Sequence, residues 1–80
     1  MKKKQIIEVV QEIINDRGVP RNIKTSLESS IEILDHMSSD EEKISHVISI
    51  LDDASNDHNL SMHTRTNIWN AVSILEELKR

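Results

Sequence analysis

The sequence predicts an all-α domain of four short helices, arranged as two tandem antiparallel hairpins. Three observations predict it. Apolar residues recur every three or four positions in four separate segments, cap-forming residues stand between those segments, and the connections are short. Spacing of three and four rather than two marks amphipathic helices, and short connections favour antiparallel neighbours.

The first stripe is Ile6, Val9, Val10, Ile13 and Ile14, which predicts a helix from about Lys3 to Arg17. Gly18 then offers the left-handed conformation that closes many helices, and Pro20 suits the first turn of the next one. The second stripe, Ile23, Leu27, Ile31 and Leu34 with Ile33 to one side, predicts a helix ending near Met37. Ser38-Ser39-Asp40 breaks the pattern, and Ser39 with Glu42 three residues on is a capping box. The stripe Ile44, Val47, Ile48 and Leu51 follows, ending around Ser55. Ser61 caps the fourth helix, whose stripe is Ile68, Val72 and Leu75, with Trp69, Ala71, Ile74 and Leu78 beside it.

A shift of 41 positions lays residues 1–39 on residues 42–80 without a gap. Asn15-Asp16-Arg17-Gly18-Val19-Pro20 then falls on Asn56-Asp57-His58-Asn59-Leu60-Ser61. Gly18 and Asn59 are the residue types that best tolerate the left-handed region, and Val19 and Leu60 supply the apolar contact that accompanies such a cap. In the helices Leu27 meets Ile68, Ile31 meets Val72, and Ile33-Leu34 repeats as Ile74-Leu75. The reading is one domain over 1–80 made of two hairpins, about 3–38 and about 40–79, either a HEAT-like pair or a four-helix bundle.

Composition narrows the function classes. There is no cysteine, so disulfides, zinc–thiolate sites and thiol nucleophiles are excluded. No apolar run approaches the roughly 20 residues that span a bilayer. The segment after Lys2-Lys3-Lys4 carries Glu8, Gln11 and Glu12, which does not read as the apolar core of a signal peptide. A cytoplasmic protein is expected. The net charge of −4 is unevenly placed: nine acidic residues and the single Lys43 lie between Glu28 and Asp57. Nucleic-acid binders usually present a dense basic face, so nucleic acid is not the favoured partner.

Chemistry-bearing residues are few. His36, His46, His58 and His63 lack the spacing that puts two ligands on one helical face, and only His58 and His63 with Asp57 could cluster. Gly18 is the only glycine, so no Gly-rich phosphate loop exists. Asp16 and Asp57 follow helix ends, where a carboxylate opposes the macrodipole. Each is expected to turn forward to the next helix, toward its N–H groups and toward Arg21 and Lys24, or Arg65. Arg21 and Lys24, with His63 and Arg65, open helices two and four and are candidate contacts for an anion or a partner. Trp69, on an otherwise aliphatic helix, is expected in the core or at an interface. Val9, Ile33, Ile50, Trp69 and Ile74 widen the apolar faces beyond a minimal bundle and are candidate interface residues.

The segments Asn15-Asp16-Arg17-Gly18-Val19-Pro20-Arg21-Asn22-Ile23, Ser49–Asp57 and His63-Thr64-Arg65-Thr66-Asn67-Ile68-Trp69 resemble those of a family of short archaeal proteins, uncharacterised protein family 0147. The similarity covers nearly the whole chain. It implies an archaeal, all-helical, cytoplasmic protein, and it carries no activity, substrate or catalytic residue. His58 and Ser61 stand where the family pattern leads one to expect prolines, a departure that loosens the turn without changing the fold.

The expected function is therefore a small non-catalytic interaction or scaffold protein that self-associates or meets another protein, without cofactor or metal. The alternative is an accessory factor of RNA or ribonucleoprotein, using the basic starts of helices two and four. A third reading is a metal-assisted enzyme built from Asp57, His58 and His63 across a dimer.

Overall fold

The computed structural model describes residues 2–37 and 39–79, with Lys2 described by its backbone alone. Four helices follow one another: α1 (Lys2–Ile14), α2 (Arg21–Ile33), α3 (Asp40–Ser55) and α4 (Met62–Lys79). A single 3-10 turn, Leu34–His36, ends α2. Helices α1 and α3 each pack against the other three, and the most extensive contact is between α3 and α4. The thinnest dimension, 18 Å, is two helices deep, since a helix with its side chains is about 10 Å across.

The apolar stripes bury as their spacing requires. Ile6, Val10, Leu27, Leu34, Ile44, Val47, Leu51, Ile68 and Leu75 are wholly inaccessible. Burial follows the 41-residue offset closely. Ile6, Val10, Ile13, Val19, Ile23, Leu27, Ser30 and Leu34 are buried, and so are Val47, Leu51, Ala54, Leu60, Thr64, Ile68, Ala71 and Leu75, each 41 positions further on. Positions in both α2 and α4 differ from the stripes read in the sequence. Ser30 is buried while Ile31 is half-buried, and Thr64 and Ala71 are buried while Val72 is half-buried. The buried hydroxyls are admissible because both are bonded. Ser30 Oγ donates to the Leu27 carbonyl at 2.7 Å, and Thr64 Oγ1 accepts from Ser61 Oγ at 3.0 Å.

The caps are built mostly from the expected residues. Ser39 Oγ accepts from Glu42 N at 3.1 Å, and Ser61 Oγ from Thr64 N at 3.1 Å. Ser38, the first residue of the expected break, lies outside the described residues. Pro20 precedes α2 as its cap, and its carbonyl accepts from Ile23 N and Lys24 N, both at 3.1 Å. Helix α2 tightens into the 3-10 turn three residues before Met37, a common way for a helix to end. Asp35 in that turn pairs with Lys3 at the start of α1.

The turns depart from expectation. No described residue has a positive φ, so neither Gly18 nor Asn59 takes the left-handed conformation. Aspartate side chains make both turns instead. Asp16 Oδ1 accepts from Gly18 N at 2.8 Å, and Asp57 Oδ1 from Asn59 N at 2.9 Å. The Asp16 and Asp57 carbonyls accept from Val19 N and Leu60 N, at 3.2 and 3.3 Å. An aspartate that bonds the backbone two residues on competes with the helix, which is why α1 stops at Ile14 and not at Arg17.

Gly18 is required for space and not for its dihedral freedom. A Cβ at this position would overlap Thr64 Oγ1 and lie 3.3 Å from Asp16 Oδ1. With φ in the ordinary range, alanine would normally stabilise the turn by about 0.4–1 kcal/mol through the unfolded chain. Gly18→Ala should instead destabilise by about 1–3 kcal/mol, the usual cost of overpacking. Adding Thr64→Ala should recover part of that loss. Thermal melts of both single variants and the double variant check this, and strictly additive effects would mean that the two residues do not meet.

Candidate functional site

The two turns and the starts of α2 and α4 form one polar region of the molecule, and Asp16 is its centre. Its Oδ2 accepts from Asn67 Nδ2 at 3.0 Å, while Oδ1 holds Gly18 N. Asn67 lies on α4, 51 residues away in sequence. These two bonds, Asn67 first and then Gly18, hold the Asp16 carboxyl below the usual carboxylate range; burial opposes them, and the charges of His63 and Lys24 assist. Asp16 thus turns forward, but across to α4 rather than to the start of α2. Asp57 bonds Asn59 in the same manner, and Arg65 reaches its backbone carbonyl, with Nη2 donating at 2.9 Å.

This geometry sets three of the candidate anion contacts against the two turn aspartates. Lys24 and His63 both act on the Asp16 carboxylate, Arg65 is committed to Asp57, and Arg21 is exposed. His63 acts on Asp16 through its charge alone, while His58 lines a groove with Arg65. Among the described residues no group of three His, Asp or Glu side chains is placed to hold a metal ion. Near the opposite turn, Lys3 as partner holds the Asp35 carboxyl low.

The candidate interface residues also separate. Val9 is only 9% exposed and belongs to the core, so it is not a surface contact. It remains on the floor of a groove of about 260 Å³ between α1 and α4, with Glu12, Asp16, Asn67 and Ile74 around it. Ile50 is half-buried in a groove of about 240 Å³ between α2 and α3, beside Asn22, Ser26, Asp53 and Asp57. Ile33 and Ile74 are 43% and 45% exposed. Trp69 is 50% exposed, which removes it from the core; at five residues from Ile74 it stands about 140° round the helix on another flank.

Three functional features escaped the sequence reading. Asn67 was not connected to Asp16, although a polar residue one position from the buried Ile68 calls for a partner. Met62, 66% exposed, lies seven residues, or about two turns, before Trp69 on the same side of α4. The third is a groove of about 290 Å³ lined by Ser55, Asn56, His58, Arg65 and Trp69, which collects residues from the end of α3, the second turn and α4. In it Arg65 has a buried Nε without a hydrogen-bond partner among the described residues, a donor left unpaired at a typical cost of about 1–3 kcal/mol.

The family model described as "Uncharacterised protein family (UPF0147)" matches residues 1–78. The chain belongs to UPF0147. UPF0147 proteins of three archaea show the extent of the likeness. That of Methanothermobacter thermautotrophicus is 42% identical over 76 residues, 94% of this chain and 74% of the relative. That of Saccharolobus solfataricus is 42% identical over 79 residues, covering 98% and 89%. That of Methanosarcina mazei is 43% identical over 79 residues, covering 94% and 82%. No solved structure matches the chain. Membership of UPF0147 agrees with the family resemblance read in the sequence, and the function of that family is unknown, so no residue acquires a role from it. Among the described residues no helix is long and apolar enough to cross a membrane.

The low Asp16 pKa has a consequence for stability. The ordinary value is 3.8 and the folded one is lower, so the unfolded chain binds the proton more readily. The carboxylate's contribution is full above the unfolded value and is lost as pH falls through the folded value. Asp16→Asn should therefore lower the melting temperature at neutral pH and flatten its decline below about pH 4. Asp35, also held low, leaves a residual slope. Melting followed by circular dichroism across that range checks it; a variant with the unaltered acid limb would show that Asp16 is not the group responsible.

Proposed function

We propose that this UPF0147 member is a small, cytoplasmic, non-catalytic interaction protein that self-associates, and that it is built of two helical hairpins repeating at a 41-residue offset. The observation that carries the self-association is the exposure of Ile33 and Ile74, at 43% and 45%. These two isoleucines are matched by the offset, so the two halves offer the same apolar residue at the same place. Covering the remaining surface of a half-exposed isoleucine contributes about 1 kcal/mol, half of what full burial of such a side chain contributes. In an 80-residue chain with an all-aliphatic core, increments of that size matter. Two internally matched apolar positions also suit a two-fold contact, in which the same residues serve both subunits.

The matched burial and the two aspartate turns support the repeat. The non-catalytic reading is supported by how the polar groups are used: Asp16, Asn67, Ser61, Thr64 and Arg65 all bond within the fold. The use of Lys24 and His63 on Asp16 and of Arg65 on Asp57 counts against the RNA-associated alternative.

Size-exclusion chromatography with light scattering on untagged protein tests the proposal. The expected result is a dimer with little absorbance at 260 nm, and a shift toward monomer in Ile74→Glu and Ile33→Glu, because an unpaired carboxylate resists burial. Monomeric wild-type protein at every accessible concentration would overturn it. So would a salt-sensitive excess at 260 nm, which would restore the RNA-associated reading.

A further inference from the structure

We propose that the groove formed by Ser55, Asn56, His58, Arg65 and Trp69 binds a free mononucleotide, with the base against Trp69 and the phosphate at Arg65 and His58. The inference does not depend on self-association, because Trp69 lies on a different flank of α4 from Ile74.

Four observations carry it. Trp69 is the only aromatic residue of the chain, and it is half exposed at the groove instead of serving the aliphatic core. An exposed indole face is the surface on which a planar base stacks. Arg65, four residues before it, shares its helical face and is pinned in orientation by the bond from Nη2 to the Asp57 carbonyl. A guanidinium fixed in this way loses little freedom on meeting a phosphate. A guanidinium carries five N–H donors, so the one bond of Nη2 to Asp57 orients the group without using up its donors, while the Nε itself is buried. Ser55, Asn56 and His58 line the same groove and offer a hydroxyl, an amide and an imidazole for the edge of the base and the phosphate oxygens.

Size and charge set the ligand class. A groove of about 290 Å³ lies just below the roughly 300 Å³ at which ligand pockets begin, the scale of a single nucleotide. The net charge of −4 opposes a long phosphate backbone, whose binding rests on many cations. A single phosphate needs only the local pair of Arg65 and His58.

The test is a titration of the untagged, isotope-labelled full chain with AMP, followed by proton–nitrogen NMR. The expected result is saturable shifts of the Trp69 indole N–H, the Arg65 backbone amide and the Asn56 side-chain amide. Adenosine and ribose 5-phosphate should each bind at least about tenfold more weakly than AMP, since each lacks half of the recognition. Trp69→Leu, at an exposed position, should abolish the shifts while leaving the rest of the spectrum in place. Arg65→Met should lose the preference for AMP over adenosine; should that variant unfold, His58→Ala should reduce the same preference. The proposal is overturned by an absence of shifts at millimolar AMP, by unchanged binding in Trp69→Leu, or by inorganic phosphate moving the same resonances as AMP. A short oligoadenylate that binds more tightly than AMP overturns the assignment to a free mononucleotide. Repeating the titration on Ile74→Glu keeps the outcome separate from oligomeric state, and binding lost in that variant alone would also count against this groove.

Discussion

The contact on which the rest depends is the meeting of the first turn with the start of α4. Asp16 reaches Asn67 there, and Gly18 lies against Thr64 so closely that no side chain fits. The chain between the two is about half the molecule, so the contact ties elements that are distant in sequence. Its parts support one another. Ser61 bonds Thr64, which fixes the hydroxyl that Gly18 must approach; Asp16 bonds Gly18, which fixes the glycine. With both set, Val19 is held in the core at 4% exposure and α2 departs from Pro20 in a defined direction. An all-aliphatic core packs without strong directional preference, so a polar contact of this kind specifies which arrangement is adopted.

The two halves use the same turn for different ends. Each aspartate bonds the backbone N–H two residues on, and each helps to bury the apolar residue after it. Beyond that they diverge. Asp16 spends its second oxygen on Asn67, whereas the second turn is held from outside by Arg65 on the Asp57 carbonyl. Gly18 has no counterpart in kind, because Asn59 keeps its side chain. What the first turn gains in closeness the second gains in a cation and a groove. The halves agree where the core demands it and differ where each turn meets the other half.

Much of the fold was legible because it rests on periodicity and capping. The stripes of α1 and α3, the Ser39 and Ser61 caps, and the burial of Val19 and Leu60 all follow from residue type and spacing. Other features were not legible, for physical reasons. Gly18 suggested a left-handed cap because glycine permits one, but a glycine chosen for space carries the same letter. Ser30 and Thr64 stand outside the apolar stripes, and nothing in the chain shows that a hydroxyl bonded within its own turn can be buried. Trp69 is expected inside or at an interface because large apolar residues are normally covered; its 50% exposure removes the interior alternative only, and it depends on the rotation of α4, which Thr64 and Ala71 set. The candidate cations were recognised as a group by their position at helix starts. Their separation onto Asp16 and Asp57 depends on contacts between helices that no local pattern encodes.

The place of Trp69 also bears on how the molecule reports its own state. Its single indole chromophore stands at a half-open groove while the aliphatic interior is optically silent. Intrinsic fluorescence will therefore follow events at the junction of α3 and α4, and it will respond weakly to loosening of the core. An emission spectrum that looks solvated in the native protein is the normal condition of this fold and not a sign of unfolding. Loss of structure has to be read from the helices themselves.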